Sequence, residues 1–174
     1  MILRTAPVPT ADAGLLGGNI NPTPGESRSS PREIQNYLGR ISGPLLDRID
    51  LHVEVPQVKF REISSDKTGE TSAEIRARVI AARQRQHLRF AHKPKITCNA
   101  RIGPKELKEF CALDEATKEM LRMAMTELNF SARAYDRIVK VARTIADLAG
   151  VETISSEHIS EAIQYRSLDR QLWT

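Results

Sequence analysis

Aromatic side chains are scarce, at 5% of the chain, so the core must rest on Leu, Ile, Val and Ala and not on stacked rings. The two cysteines, Cys98 and Cys111, have no metal-ligand spacing and offer no framework of bridges. Two reduced, structural thiols in a cytoplasmic protein are expected. His52, His87, His92 and His158 are scattered, so no metal site is expected. No apolar run approaches the length of a membrane span, and the first residues lack the apolar stretch of a secretory signal, so no membrane partner is expected. The pattern G-x-x-x-x-G-K-[ST] is missing, and with it a phosphate-cradling loop of the Walker A kind. Leu15-Leu-Gly-Gly-Asn-Ile is glycine-rich but has no lysine to reach a phosphate. No apolar strand ends in Asp-Glu to hold magnesium in the Walker B manner. Neither a Ser/His/Asp nor a Cys/His arrangement can be argued, which excludes a case for hydrolysis independent of a nucleotide.

What is present begins with Ile41-Ser-Gly-Pro-Leu-Leu-Asp-Arg-Ile-Asp-Leu-His-Val-Glu-Val-Pro56. From Ile49 the residues alternate. Ile49, Leu51, Val53 and Val55 are expected on a buried face, with Asp50, His52 and Glu54 opposite, in a half-buried strand closed by Pro56. Upstream, Ser30-Pro31-Arg32-Glu33 starts a helix with a serine N-cap, proline in the first turn and a capping-box glutamate. Gly43-Pro44 breaks that helix, so Arg48 lies in the connection between helix and strand. A guanidinium there can reach a phosphate on a neighbouring subunit as an arginine finger, or pair with Asp47 or Asp50 as a plain surface arginine.

Residues 1–29, rich in Pro, Gly, Ser and Thr, read as a loose or disordered segment. Residues 30–56 form the helix and strand just described, and 57–70 a polar linker. Residues 71–174 read as a bundle of about five helices. A capping box, Thr71-Ser-Ala-Glu74, opens the first through about Ala91, with Ile75, Val79, Ala82 and Phe90 as its apolar line. Gly103-Pro104 starts a short helix carrying Leu107 and Phe110. Asp114 caps a third with Ala116, Met120, Ala124 and Leu128 along one side and Leu121 nearby. Ser131 caps a fourth, with Tyr135, Ile138, Ala142, Ile145 and Ala149 as its stripe and Gly150 as its stop. Ser155 or Ser156 caps the last, which turns Ile159, Ala162 and Ile163 inward.

The net charge is a modest +4, unevenly spread. Between Thr71 and Arg101 the basic residues Arg76, Arg78, Arg83, Arg85, Arg89, Lys93, Lys95 and Arg101 face one acid, Glu74. Such a block favours a polyanion. Arg76, Arg83, Arg85 and Arg89 are the candidate nucleic-acid contacts, suited to phosphates more than to base edges. On the Ser131 helix, Arg133, Arg137 and Lys140 share the side opposite the stripe. They make either a solvated cationic face or, near the helix N-terminus, a phosphate contact.

Ser30–Pro56, Thr71–Arg78, Ser131–Leu148 and Glu161–Arg166, in that order, resemble the C-terminal part of magnesium-chelatase-type AAA+ ATPases. The Ser-Gly-Pro-Leu-Leu-Asp-Arg-Ile-Asp wording is similar to the competence-protein (ComM/YifB) subfamily. The resemblance is expected to begin at Ser30. It implies a mainly α fold: a helical AAA+ lid bundle preceded by the last helix and strand of a truncated α/β ATPase core. It implies that Arg48 is the arginine finger acting in trans and that Arg133 is sensor 2, touching the ATP γ-phosphate. It further implies ATP and Mg2+ as cofactors of the intact protein, a homo-oligomeric ring (a hexamer), and DNA as partner in branch migration during natural transformation. Metal insertion into porphyrins, the other activity of the wider family, carries little weight. With neither Walker motif present, the chain alone is expected to bind no cofactor and to be inactive. Two other readings compete: a stand-alone basic helical DNA-binding module, and a regulatory fragment that joins the ring of the full-length ATPase.

Overall fold

The computed structural model describes residues 32, 48–53 and 69–166. The helix expected from Ser30, the strand beyond Val53, the segment 1–29 and most of the linker 57–70 lie outside the described residues. Apart from Arg32 and Val53, the described residues fall in one compact unit.

Five helices make up that unit among the described residues: α1 Ser72–Arg89, α2 Pro104–Phe110, α3 Glu115–Glu127, α4 Ala132–Ala149 and α5 Ser156–Gln164, with a 3-10 turn at Asn99–Arg101 between α1 and α2. Local chemistry sets their ends. Thr71 accepts from the Glu74 N–H while Glu74 accepts from the Thr71 N–H at 2.8 Å, the reciprocal capping box. Gly103 caps α2 and Pro104 fills its first position, where a missing N–H costs nothing. Asp114 and Ser131 accept from Thr117 and Ala134 N–H groups at 2.7 and 3.2 Å. At α5 the cap is Ser155, whose N–H donates to His158 Nδ1 at 3.0 Å. Helix α4 ends on Gly150 at φ 80°, the left-handed region that glycine enters without steric cost. There the Val151 N–H donates to the Ala146 carbonyl and the Gly150 N–H to the Asp147 carbonyl, which satisfies two otherwise orphaned acceptors.

Helix α4 is the centre of the bundle, packed against α5, α1, α2 and the 3-10 turn, while α3 packs on α5. Ile138, Ala142, Ala146, Ile159, Ala162 and Leu121 are fully or almost fully buried. Each of the larger ones, Ile138, Ile159 and Leu121, contributes about 1.5–3 kcal/mol by leaving water. Among the described residues aromatic packing is confined to one contact: Phe90, just past α1, meets Phe110 edge-on with centroids 5.5 Å apart. The mainly α fold class expected from the sequence is thus the one observed.

Four expectations change. The alternating strand is not seen among the described residues. His52 is buried and Val53 is 66% exposed, the reverse of the expected faces, and the His52 N–H goes to the Tyr165 carbonyl beside the last helix. The buried face of α4 is rotated from the expected stripe. It runs through Ala134, Ile138, Val139, Ala142, Arg143, Ala146 and Asp147, while Tyr135 and Ala149 are exposed. The displacement follows from Arg143 and Asp147, which satisfy each other's charge and so sit inside. On α3 Leu121 is buried as its place beside the apolar side suggested, but the other buried position is Thr117, and Ala116 is exposed. On α1, Ile75 and Val79 are exposed and only the later Ala82 and Phe90 reach the core.

Candidate functional site

Arg48 lies in a turn and is exposed, and it makes no hydrogen bond or ion pair with a described residue. The backbone that follows it is held to the helical bundle. Fully buried Arg166, just past α5, donates from Nη1 to the Ile49 carbonyl. Asp50 forms an ion pair with Arg137 of α4, both side chains 29% exposed. The His52 N–H donates to the Tyr165 carbonyl at 2.8 Å. Asp50 therefore serves Arg137 and not Arg48, while Asp47, the other partner considered for a surface pairing, lies outside the described residues. The outcome is a long, charged side chain projecting from a fixed main chain.

Arg133 sits in the first turn of α4 and is exposed. It lies one helical turn before Arg137, so the two side chains share a face. No acid occupies that first turn, so no carboxylate of that turn offsets the Arg133 charge or the positive end of the helix dipole. The arrangement suits a phosphate-bearing ligand. Nothing in it supplies a nucleophile or a general base.

The basic segment divides. Arg76 is exposed and Arg83 half-buried on α1. They are seven positions apart, two turns along one side of the helix. Arg85 directs its guanidinium to Gly150, at the C-terminal end of α4, where a cation is favoured by the dipole. Arg89 points inward. Its Nη1 donates to Asp147 Oδ2 at 2.8 Å and to Asn99 Oδ1 at 3.1 Å, and its Nη2 to Asp147 Oδ1. Arg78 pairs with Glu70, and Lys93 with Glu106 and Glu109. The fold thus brings acids to a stretch that looks almost free of them in sequence, and Arg89 is committed to a carboxylate.

Asp147 is the hub of a polar cluster that sequence reading missed. Besides Arg89 it accepts from Asn99 Nδ2 at 2.8 Å and faces Arg143 Nη2 at 3.1 Å. Asn99 also donates to Thr144 Oγ1 and, through its N–H, to Gln86 Oε1. Arg143 reaches on to the Val151 and Glu152 carbonyls, which braces the turn after α4. Burial alone would raise the Asp147 carboxyl. The hydrogen bonds from Arg89 and Asn99 and the Arg143 charge outweigh it, holding the group below the usual carboxylate range. Arg143 is lowered by its burial, and Arg89 is raised by its bond to Asp147. The sequence signal was available: Arg143 and Asp147, four apart, both fall on the apolar side of α4. Both cysteines are free and buried, and burial pushes the Cys111 thiol up to about 11, so it stays protonated and inert at neutral pH. Among the described residues no cluster of His, Cys, Asp or Glu could hold a metal ion, and no helix is long and apolar enough to cross a membrane.

Residues 69–166 match the family model described as magnesium chelatase, subunit ChlI C-terminal. Residues 16–63 match the companion model for magnesium chelatase, subunit ChlI. That second match starts at residue 16, so the expected start at Ser30 was too late. The chain is 41% identical to the competence protein ComM of Haemophilus influenzae over 160 residues, which are 88% of this chain and 30% of that protein. It is 39% identical over 173 residues to the uncharacterized protein YifB of Salmonella typhimurium, covering 99% of this chain and 31% of the relative. The YifB of Escherichia coli is 38% identical over 160 residues. The chain spans less than a third of the length of these relatives. With a helical bundle matching the C-terminal model over more than half its residues, the chain belongs to the magnesium-chelatase family, with ComM and YifB among its relatives.

Proposed function

We propose that this chain supplies the arginine-finger segment and the nucleotide-sensing lid of a ComM-like AAA+ ATPase that assembles as a homo-oligomeric ring, a hexamer, in the cytoplasm and works on DNA in competence, as a branch-migration helicase. The observation that carries this reading is Arg48: exposed, without a partner among the described residues, and mounted on backbone tied to α4 and α5. A rigidly mounted guanidinium can enter a neighbouring subunit's site and neutralise charge that develops on the transferred phosphoryl group. Arg133 would contact the γ-phosphate, so that nucleotide state sets the position of the lid. Both groups have the charge and the donor geometry that phosphate requires. The phosphate-cradling loop and magnesium ligands would come from residues outside these 174. A relative named for competence supports the link to DNA uptake, and Arg76 and Arg83 offer the electrostatic contact to DNA.

Arg48→Ala, made in a full-length ATPase carrying this segment, is expected to lower ATP turnover by about 10³-fold or more while leaving folding almost unchanged. Mixing that variant with a subunit disabled in Walker A should restore part of the turnover, since each supplies what the other lacks. Failure of every such mixture would overturn action in trans. Calorimetry on the isolated chain should detect no ATP binding. A tight, magnesium-dependent site in it would overturn the whole reading.

A further inference from the structure

We infer that Arg137 and Asp50 are positioning residues that couple the two phosphate-directed arginines, so that the Arg48 turn and the Arg133 end of α4 move as one body. The inference rests on the function proposed above. Asp50 is two residues after Arg48, and Arg137 is one helical turn after Arg133, so their ion pair joins the two functional segments directly. Two further contacts hold the same strip. Arg166 donates to the Ile49 carbonyl, and the His52 N–H donates to the Tyr165 carbonyl. These come from the end of α5, which itself packs on α4. The strip after Arg48 is therefore fixed from one side by α4 and from the other by the residues that close α5. A lid that rotates when Arg133 gains or loses a γ-phosphate would carry Arg48 with it. That would make the finger of one subunit responsive to the nucleotide sensed by its own lid.

The experiment begins with the chain as it is. Hydrogen exchange at the amides of residues 49–52 is compared in the parent, in Arg137→Asp, and in the double variant Asp50→Arg/Arg137→Asp. Repulsion in the single variant should speed exchange there by about fivefold, the scale set by a partly exposed ion pair. The swap should restore protection, and exchange in the buried part of α4 should not change. Arg137→Gln, which keeps most of the apolar stem, replaces Arg137→Asp if the latter fails to fold. Unchanged exchange in the single variants would overturn the tether.

The second step uses a full-length ATPase carrying this segment. Arg137→Asp should lower kcat by about ten- to a hundredfold, the penalty of misplacing a catalytic group by an ångström. KM for ATP should stay within about twofold, because a finger acts on the transition state. The swap should recover kcat. A kcat unmoved by Arg137→Asp, where Arg48→Ala abolishes turnover, would overturn the positioning role. If Arg48→Ala itself leaves turnover intact, the arginine-finger reading fails, and the exchange result alone judges the tether.

Discussion

At the C-terminal end of α4 the guanidinium groups of Arg89 and Arg143 close on one buried carboxylate, Asp147, whereas at the N-terminal end Arg133 is exposed with no acid in its turn. The contrast separates two uses of one residue type. A guanidinium inside the bundle has been desolvated and must be matched there, so its charge is spent on structure. One left in solvent beside a helix N-terminus, unmatched by any described residue, can be offered to an anionic partner. Substitutions at the two ends should therefore fail in different ways.

The largest effect is expected at Asp147. Asp147→Ala removes the one carboxylate that balances Arg89 and Arg143 and leaves their charges uncompensated in the core, at a cost of about 3–5 kcal/mol. Thermal unfolding should fall by about 12 °C or more. A variant that melted with the parent would show that the cluster is not structural and break the comparison at its buried end.

Acid should reach the same cluster. The Asp147 carboxyl is depressed in the folded chain, so the stability it contributes is complete above the unfolded value of about 3.9 and is lost as pH falls through the lower folded value. Asp147→Asn should flatten the decline of unfolding free energy below about pH 4 by up to about one proton. An identical slope in parent and variant would show that other carboxylates carry the acid sensitivity.

How far these differences were legible in the sequence depends on the scale of the cause. The ends of α1 to α5 were readable because capping is local: Thr71 with Glu74, Pro104 at a first turn, Asp114, Ser131 and Gly150 each act within a few residues of themselves. Which face of α4 turned inward was less readable. An apolar count discards Arg143 and Asp147, although their pairing is what allows them inside. The Arg48 segment was read as a strand from its alternation, and its tethers could not be foreseen, because Arg137 and Arg166 are far along the chain from Asp50 and Ile49. The likeness of Arg89 to Arg76 and Arg83 in the basic block failed for the same reason, since Asp147 reaches it from another helix.

A smaller effect sharpens the comparison along α1. DNA affinity of the chain should be weak, insensitive to sequence and lost as salt rises, with each neutralised phosphate contributing about −0.9 to the slope of log K against log salt. Charge reversal at Arg76 and Arg83 together should flatten that slope by roughly two units if both touch phosphate. Reversal at Arg89 should unfold the bundle before it changes any slope. Parent-like affinity and slope in the Arg76/Arg83 double variant would show that this side of α1 is a solvated face.

The smallest effect is expected where the function is proposed to lie. Arg133 is exposed and makes no ion pair with a described residue, so Arg133→Ala removes no buried contact and exchanges one good helix former for another. It also takes a positive charge away from the positive end of the α4 dipole, a change that favours the helix slightly. Unfolding free energy should stay within about 0.5 kcal/mol of the parent or rise, as measured by denaturant titration with an unchanged m-value. In a full-length ATPase carrying this segment, the same substitution should weaken the response to ATP. A variant destabilised by as much as Asp147→Ala would place Arg133 among the structural arginines and erase the difference between the two ends of α4. Neutral stability with lost nucleotide response would show that this end is kept charged for its ligand.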